Sequence, residues 1–231
     1  MKNKMNNSET HFLGVDVGGT HLKIGLVDKN GNILDFQKED TTPFRDHAEG
    51  FGQAFISGLD KYFKKYPQVE KVGIGLPGLI SKDRTTPLEI PAIPSLNNFN
   101  LKNGLEKAYP DKEFFLENDA AAAAIGEFYY GKDDPSDNFL FITMGTGIGS
   151  CFIENKKVVS EGKGIPWFGW VSGQKYKDGI LNDYTSSIFM KKKYFEITKE
   201  NISIKSMAER ARKEDKNAKA IFDEIGNTLG S

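Results

Sequence analysis

Apolar and polar residues alternate along several short stretches of the chain, and two of these stretches share one design. The segment FLGVDVGGTHLKIGLV, beginning at Phe12, consists of two apolar runs joined by a glycine turn. The segment FLFITMGTGIGSCFIE, beginning at Phe139, repeats that order. Short alternating runs broken by glycine predict two β-hairpins. A further turn leads to a third strand in each copy, near ILDFQ and at NKKVV.

The remaining pattern predicts helices and two more strands. Apolar residues recur at helical spacing over residues 46–66, and Pro67 ends that helix. KVGIGLPG predicts a buried strand and a turn, and the proline-rich TTPLEIPAIPSLNN predicts an irregular, exposed loop. LKNGLEKAY predicts a helix, EFFLE a strand, and NDAAAAAIGEFYY a helix behind an Asn-Asp cap. The chain after the second hairpin is predicted to be mostly helical.

An internal duplication follows from these patterns. Placing Phe12 on Phe139 also places Asp16 on Thr143 and Gly18 on Gly145. We therefore predict an α/β fold of two like lobes with a cleft between them. The expected N-terminal lobe is residues 11–117 and the expected C-terminal lobe is residues 118–231.

Composition and charge exclude several classes of protein. The formal net charge of −1 gives no basic field for nucleic acid or an anionic membrane. A single cysteine excludes a disulfide framework and a thiolate zinc site. The polar start MKNKMNNSET has no apolar core of a signal peptide, and no apolar run is long enough to span a bilayer. We expect a cytoplasmic protein without nucleic-acid or membrane partners.

The two glycine turns are candidate phosphate sites. Glycine lets a ligand approach the backbone closely, and successive N–H groups of a turn form a concave anion site. The hydroxyl groups of Thr20, Thr143 and Thr146 can add donors. A lone GGT turn is weak evidence, since glycine hairpins are common. Two related turns on duplicated lobes are stronger evidence, because together they can hold a polyphosphate.

Two carboxylates have candidate roles beside these turns. Asp16 ends the first strand and can hold Mg²⁺ through water, since Mg²⁺ prefers oxygen ligands and keeps much of its hydration. Asp119 lies where a strand becomes a helix, and a helix N-terminus favours its ionised form. It is either a base that accepts a proton from a hydroxyl nucleophile or simply the helix N-cap.

Four segments in order resemble the ROK family of sugar kinases and repressors: FLGVDVGGTHLKIGLVD, VGIGLPGLI, LENDAAAAAIGE and FITMGTGIG. The resemblance implies a duplicated RNase H-like (actin-like ATPase) fold and makes Asp119, the Asp of the END motif, the catalytic base. It assigns two loops to the phosphates of ATP. Their predicted ligands are Asp16, Gly18, Gly19, Thr20, Thr143, Gly145, Thr146 and Gly147. It also places Gly78, Asn98 and Asn118 along the sugar site, and a homodimer is usual in such families.

The chain departs from the family pattern in the sugar pocket. Trp167 and Trp170 of IPWFGW stand where the family has a glutamate and a histidine, and the zinc-binding cysteine cluster is absent. Asn182 stands where a later sugar-binding glutamate is expected. Tryptophan can stack on a sugar face but cannot replace a carboxylate that holds two hydroxyls. Either the pocket binds the sugar differently, through Trp167 and Asn182, or it has lost the ligand.

These features predict an ATP- and Mg²⁺-dependent sugar kinase, glucokinase-like, without a zinc site. The alternative is a non-catalytic, sugar- or nucleotide-binding ROK-like protein. A DNA-binding repressor is disfavoured, because only a short polar segment precedes Phe12. Family chains continue past a helix like AKAIFDEIGNTLG into an adenosine-binding element. Since the sequence stops at Ser231, we expect either a truncated C-terminal lobe or an adenine that is held differently.

Overall fold

In the computed structural model, which describes residues 10–131 and 136–230, the first predicted hairpin consists of β1 (His11–Val17) and β2 (His21–Asp28). Every second residue of β1 is buried, as the alternating pattern predicts. The two strands pair antiparallel, and the predicted glycine turn joins them. A third strand, β3 (Ile33–Asp40), follows the NGN turn and pairs with β2.

The first hairpin belongs to a five-stranded mixed sheet, in which β3, β2 and β1 are followed by β4 (Lys71–Leu76) and then β7 (Glu113–Asn118). The further elements of this part of the chain are α1 (Thr42–Arg45), α2 (Gly50–Gly58), α3 (Asp60–Lys65), β4 (Lys71–Leu76), β5 (Leu79–Ile80), β6 (Pro87–Glu89), α4 (Leu101–Ala108), β7 (Glu113–Asn118) and α5 (Asp119–Tyr130). Strands β1, β4 and β7 run parallel, so their carboxyl ends lie at one edge of the sheet.

One face of this sheet carries the main hydrophobic core. Leu13, Val15 and Ile24 of the hairpin pack there with Ile74 and Leu116 of the parallel strands. Helices α2, α3 and α4 contribute the aromatic and aliphatic partners of this cluster, so their apolar stripes are buried as the helical spacing predicted.

Two predictions about this region were wrong in detail. The single helix expected over residues 46–66 is divided at Leu59 into α2 and α3. The proline-rich loop is not exposed throughout, because Ile90, Ile93 and Leu96 are completely buried in the core. It is also not irregular throughout, because Pro87 begins β6 and Pro94 begins a short 3-10 helix. Between the prolines Ile90 and Ile93 turn inward, whereas Leu88 stays exposed.

The opposite face of the sheet has a row whose three central residues are glycines. Paired residues of neighbouring strands share a face, and the pairings here join Phe36, Gly25, Gly14, Gly73 and Phe115 in that order. The two phenylalanines are about half exposed, at 53% and 49%. We call these five residues the glycine row. Helix α5 packs on the same face, next to β4 and β7.

Strand β3 is tied to the α3 region by two sets of polar contacts. Each set has a carboxylate, a lysine and a tyrosine: Asp35 with Lys65 and Tyr66, and Glu39 with Lys61 and Tyr62. The hydrogen bond from Lys65, followed by the one from Tyr66, lowers the pKa of Asp35 well below its ordinary value. Burial, followed by the hydrogen bond to Glu39, raises the pKa of Tyr62.

The described residues form two compact units, residues 10–131 and residues 136–230. The second unit contains the second predicted hairpin with its third strand, then the predicted helices. Its elements are β8 (Phe139–Met144), β9 (Ile148–Glu154), β10 (Lys157–Val159), β11 (Lys175–Tyr176), β12 (Gly179–Ile180), α6 (Leu181–Thr185), α7 (Ser187–Thr198), α8 (Ile204–Arg212) and α9 (Lys216–Leu229). Strands β8, β9 and β10 form one sheet, and helices α7 to α9 enclose a separate apolar cluster around Met190, Tyr194 and Met207.

The strand order of the two hairpins supports the duplication, since a three-residue glycine turn stands between the first two strands of each copy. Helix α5 lies with the first unit, so the structural division falls after this helix. The boundary expected from the sequence, at residues 117 and 118, precedes it. Within residues 10–131 and 136–230, the structure has no helix with the length and apolar character that crossing a bilayer requires.

Candidate functional site

A row of charged residues crosses the first sheet next to the carboxyl ends of its parallel strands. Asp16 of β1 pairs with Lys23 of β2 on one side and with Gly75 of β4 on the other. Gly75 in turn pairs with Glu117 of β7. All four residues therefore share the face on which helix α5 begins.

Asp16 and Lys23 form an ion pair within this row. The Lys23 Nζ atom lies 2.7 Å from Asp16 Oδ2, and both side chains are about half exposed. Sequence reasoning did not single out Lys23. The signal was available, because the antiparallel register across the GGT turn places Lys23 opposite Asp16.

The cap of helix α5 is Asn118, so the interpretation of Asp119 as the cap was wrong. The Asn118 Oδ1 atom accepts a hydrogen bond of 3.1 Å from the Ala121 N–H. The Asn118 Nδ2 atom donates to the Gly78 carbonyl at 3.0 Å. The Asn118 side chain thus contacts Gly78 directly and joins these two predicted sugar residues.

Asp119 is the first residue of α5, and its carboxylate accepts a hydrogen bond of 2.8 Å from the Ala120 N–H. The side chain is open to solvent, but enough protein surrounds it to remove much of its hydration. Desolvation raises the pKa of Asp119; the hydrogen bond from Ala120 opposes this shift, and the negative charge of Asp16 adds to it. Desolvation and the charge of Asp16 together outweigh the backbone hydrogen bond at this helix N-terminus, which was expected to favour the ionised form.

The start of α5 lies against Gly75 of the charged row. A Cβ atom at this position would lie in van der Waals contact, 3.6 Å from the Asp119 Cα and 3.8 Å from the Ala122 Cβ. The helix backbone therefore packs directly on the sheet here. This contact places Asp119 above the row that contains Asp16 and Glu117.

The first glycine turn, Gly18 to Thr20, is fixed through its carbonyl groups. Thr41 donates to the Gly18 oxygen through its hydroxyl at 2.8 Å and to the Thr20 oxygen through its N–H at 2.9 Å. Arg45 reaches the Gly19 oxygen at 3.4 Å. A Cβ at Gly18 would come within 2.8 Å of the His21 oxygen, so this turn requires glycine. The predicted phosphate ligands of this turn therefore come directly after β1, the strand that contains Asp16.

Asn98 lies on a loop that is hydrogen-bonded to the hairpin β5–β6. Its backbone is left-handed, with φ of 61°, and its N–H donates to the Pro87 carbonyl at 2.8 Å. The side chain is exposed. Asn98 and Gly78 therefore contact the two strands of one short hairpin.

The second glycine turn is held by two contacts within its own unit. Asn182 Oδ1 accepts a hydrogen bond of 3.0 Å from the Ile148 N–H, directly after the turn. The Ser187 N–H donates to the Gly145 carbonyl at 2.9 Å. Thr143 and Thr146 are exposed, as phosphate donors would need to be. Asn182, predicted in the sugar site, thus supports the turn that contains Gly145 and Gly147.

Trp167 is largely exposed, at 69%. Its ring packs edge to face with Phe168, with centroids 4.6 Å apart, and with Trp170 at 6.3 Å. An exposed aromatic ring with two aromatic neighbours is able to stack on a flat apolar surface.

Comparison with known proteins gives the family. The ROK family matches residues 12–231 of the chain. The chain belongs to the ROK family. This confirms the resemblance inferred from the four motifs, and it extends the match beyond them to the helical end of the second unit.

Individual ROK proteins are similar over most of this chain. The beta-glucoside kinase of Listeria monocytogenes is 29% identical over 79% of this chain and 62% of its own length. The glucokinase of Thermotoga maritima is 32% identical over 67% of this chain and 48% of its own length. The chain therefore spans less than two thirds of the length of these relatives.

A solved structure confirms the fold class. The ROK family glucokinase from Streptomyces griseus, in complex with glucose and AMPPNP, has a TM-score of 0.74 at 28% identity. The match covers 95% of this chain and 77% of that one. The ROK protein described here thus has the α/β, duplicated RNase H-like fold of actin-like ATPases.

Proposed function

We propose that this ROK protein is an ATP-dependent sugar kinase, glucokinase-like, that transfers the γ-phosphoryl group of ATP to a hydroxyl of a hexose-type sugar. The observation that carries the proposal is Asp119. Its carboxylate is not used as the helix cap, is open to solvent, and has a raised pKa beside Asp16. The glucokinase that was crystallised with glucose and AMPPNP supports the same chemistry.

Asp119 would accept the proton of the attacking sugar hydroxyl. A general base is most effective when its pKa lies near the working pH, and a raised carboxylate pKa moves Asp119 in that direction. In phosphoryl transfer most of the catalysis comes from positioning and from neutralising charge. Lys23 supplies a positive charge next to Asp16, 2.7 Å from its oxygen.

The donor set at Asp16 suits Mg²⁺. A half-exposed carboxylate leaves room for a hydrated ion, and Mg²⁺ commonly binds through one or two carboxylates while keeping several waters. Bound there, Mg²⁺ would neutralise charge on the ATP phosphates. Asp16 would hold the ion through water, and no zinc ligand is proposed.

The remaining roles follow the motifs. The proposed phosphate ligands are Gly18, Gly19, Thr20, Thr143, Gly145, Thr146 and Gly147. The proposed sugar ligands are Gly78, Asn98, Asn118, Trp167 and Asn182. We also propose that the protein is a homodimer, which light scattering on the purified protein would test.

The test is a panel of sugars with Mg-ATP, followed by ADP release, for the protein and for Asp119→Asn. We expect Asp119→Asn to lower kcat by about 10²-fold or more while it keeps the fold. Asp111→Asn is the matched control, because Asp111 is exposed and lies at the amino end of β7, away from the charged row. Since the base must be ionised, kcat/KM should fall as the pH drops through the raised pKa of Asp119.

Two results would contradict this proposal. Unchanged turnover in Asp119→Asn would exclude its role as the base. Sugar or nucleotide binding without ADP release, for every sugar of the panel, would favour a non-catalytic ROK-like protein. Two features agree with a non-catalytic protein: a tryptophan stands at position 167, and Asn182 supports the second glycine turn.

A further inference from the structure

Arg84 lies at the tip of the hairpin β5–β6 in a conformation that L-residues rarely adopt. Its φ is 58°, in the left-handed region. Such a backbone costs a non-glycine residue about 1 kcal/mol or more and persists only where the surroundings impose it. Here Ser81 imposes it: the Arg84 N–H donates to the Ser81 carbonyl at 2.9 Å, and Ser81 Oγ accepts from the Thr86 N–H at 3.0 Å.

This backbone directs the Arg84 side chain to the end of β7. The Arg84 Nε atom lies 3.1 Å from Glu117 Oε2, and the two side chains are only 33% and 23% exposed. The other carboxylate oxygen of Glu117 accepts the Asn118 N–H at 2.9 Å. One carboxylate thus joins the hairpin tip to the residue that caps α5.

The same hairpin is connected to the three predicted sugar residues of the first unit. It begins directly after Gly78, whose carbonyl accepts from Asn118 Nδ2. Pro87 of its second strand accepts from the Asn98 N–H. The base of the hairpin is therefore attached to Asn118 through Gly78. Its tip is attached through Arg84 to Glu117, the neighbouring residue of β7.

We propose that Arg84 is a positioning residue for the sugar: its ion pair with Glu117 fixes the hairpin of residues 79–89 against Asn118 and so sets the geometry of Gly78, Asn98 and Asn118. This proposal rests on the proposed sugar kinase function. Within the charged row Arg84 pairs with Glu117, which has no proposed part in phosphate binding or proton transfer, so its effect should appear in sugar binding and not in the chemical step.

The kinetic test compares Arg84→Ala, Glu117→Gln and the double variant in the ADP-release assay, with the sugar that the panel finds most active. Each single variant should raise the sugar KM about tenfold, corresponding to about 1.4 kcal/mol, and leave kcat within about threefold. The double variant should be no worse than either single variant, because both remove one interaction. Arg84→Lys should recover part of the loss, since it restores the charge but not the shape of the guanidinium.

A matched control uses an ion pair at the other end of β7. Lys71 of β4 and Glu113 of β7 form an ion pair of 3.3 Å at the other end of the sheet, with both side chains about half exposed. Lys71→Ala should leave KM and kcat unchanged, because exposed pairs contribute little and this one contacts no hairpin residue.

Hydrogen exchange tests the ion pair without turnover. In the ligand-free protein, the amides of residues 79–89 should exchange faster in Arg84→Ala and in Glu117→Gln than in Lys71→Ala. If no sugar of the panel is phosphorylated, the proposed function fails, and the exchange result alone still decides whether Arg84 fixes the hairpin. Unchanged exchange, an unchanged KM, or additive losses in the double variant would each overturn the positioning role.

Discussion

Replacing Gly78 by alanine should disrupt the hairpin that contacts the proposed sugar residues. Gly78 has φ of 103°, and a Cβ atom there would lie 2.2 Å from the Glu89 carbonyl oxygen. The obstacle is backbone, so no side-chain rotation relieves it. Gly78→Ala must therefore either strain its own backbone or separate β5 from β6, whose pairing joins Leu79 to Glu89.

The expected loss of stability is the sum of three effects. A left-handed backbone costs alanine about 1–2 kcal/mol. Displacing the Gly78 carbonyl removes its hydrogen bond from Asn118, about 1 kcal/mol. The residual clash adds about 1 kcal/mol more. We expect a total of about 3–4 kcal/mol in the unfolding free energy of the first unit.

The assay is denaturant unfolding followed by circular dichroism. Both tryptophans, Trp167 and Trp170, lie in the second unit, so tryptophan fluorescence would report on the wrong transition. The control is Gly73→Ala on β4, because a Cβ atom added to Gly73 would meet no other atom within 4 Å and the backbone there has no positive φ. It should change stability by less than about 1 kcal/mol. Equal midpoints for the two variants would refute the reasoning.

Three further predictions address the charged row, the second turn and the contacts of β3. Lys23→Met removes the cation that lies 2.7 Å from Asp16, so the negative charge of Asp16 should raise the pKa of Asp119 further. Carboxyl NMR measures this pKa, and an unchanged titration would disprove the coupling. Asn182→Ala should speed hydrogen exchange of the Ile148 amide by up to about tenfold, whereas Asn138→Ala should not, and equal rates would contradict a turn-holding role. The lowered pKa of Asp35 means that its contribution to stability is present above the unfolded value of about 3.9 and is lost as the pH falls below it. Asp35→Asn should therefore weaken the acid dependence of unfolding, and an unaltered dependence between pH 6 and 3 would show that this carboxylate does not contribute.

The strands and most helices could be predicted because their signals are local. Alternating burial in β1 and the glycine turn at Gly18 are properties of adjacent residues. The break at Leu59 could not be predicted, since the apolar spacing continues through it. The burial of Ile93 depends on distant core residues, so the prolines around it were misleading.

The sequence singles out candidate site residues one by one but not the contacts that join them. Asp16 and Asp119 are proposed from their motifs. Two adjacent residues, Asn118 and Asp119, can both cap a helix, and only the three-dimensional contacts show that Asn118 does so. Arg84 and Glu117 are 33 positions apart, and no local pattern joins them.

The glycine row has a mechanical consequence. Cross-strand side-chain pairs stabilise a sheet, and at this row the three central strands have none on one face. Along this row β2, β1 and β4 are held together by backbone hydrogen bonds and by the core on the other side of the sheet. We therefore expect the sheet to bend most easily along the line from Phe36 to Phe115. Because Asp16 lies two residues beyond Gly14 on β1, the carboxyl ends of the strands should be able to flex relative to the rest of the sheet without unpacking the core.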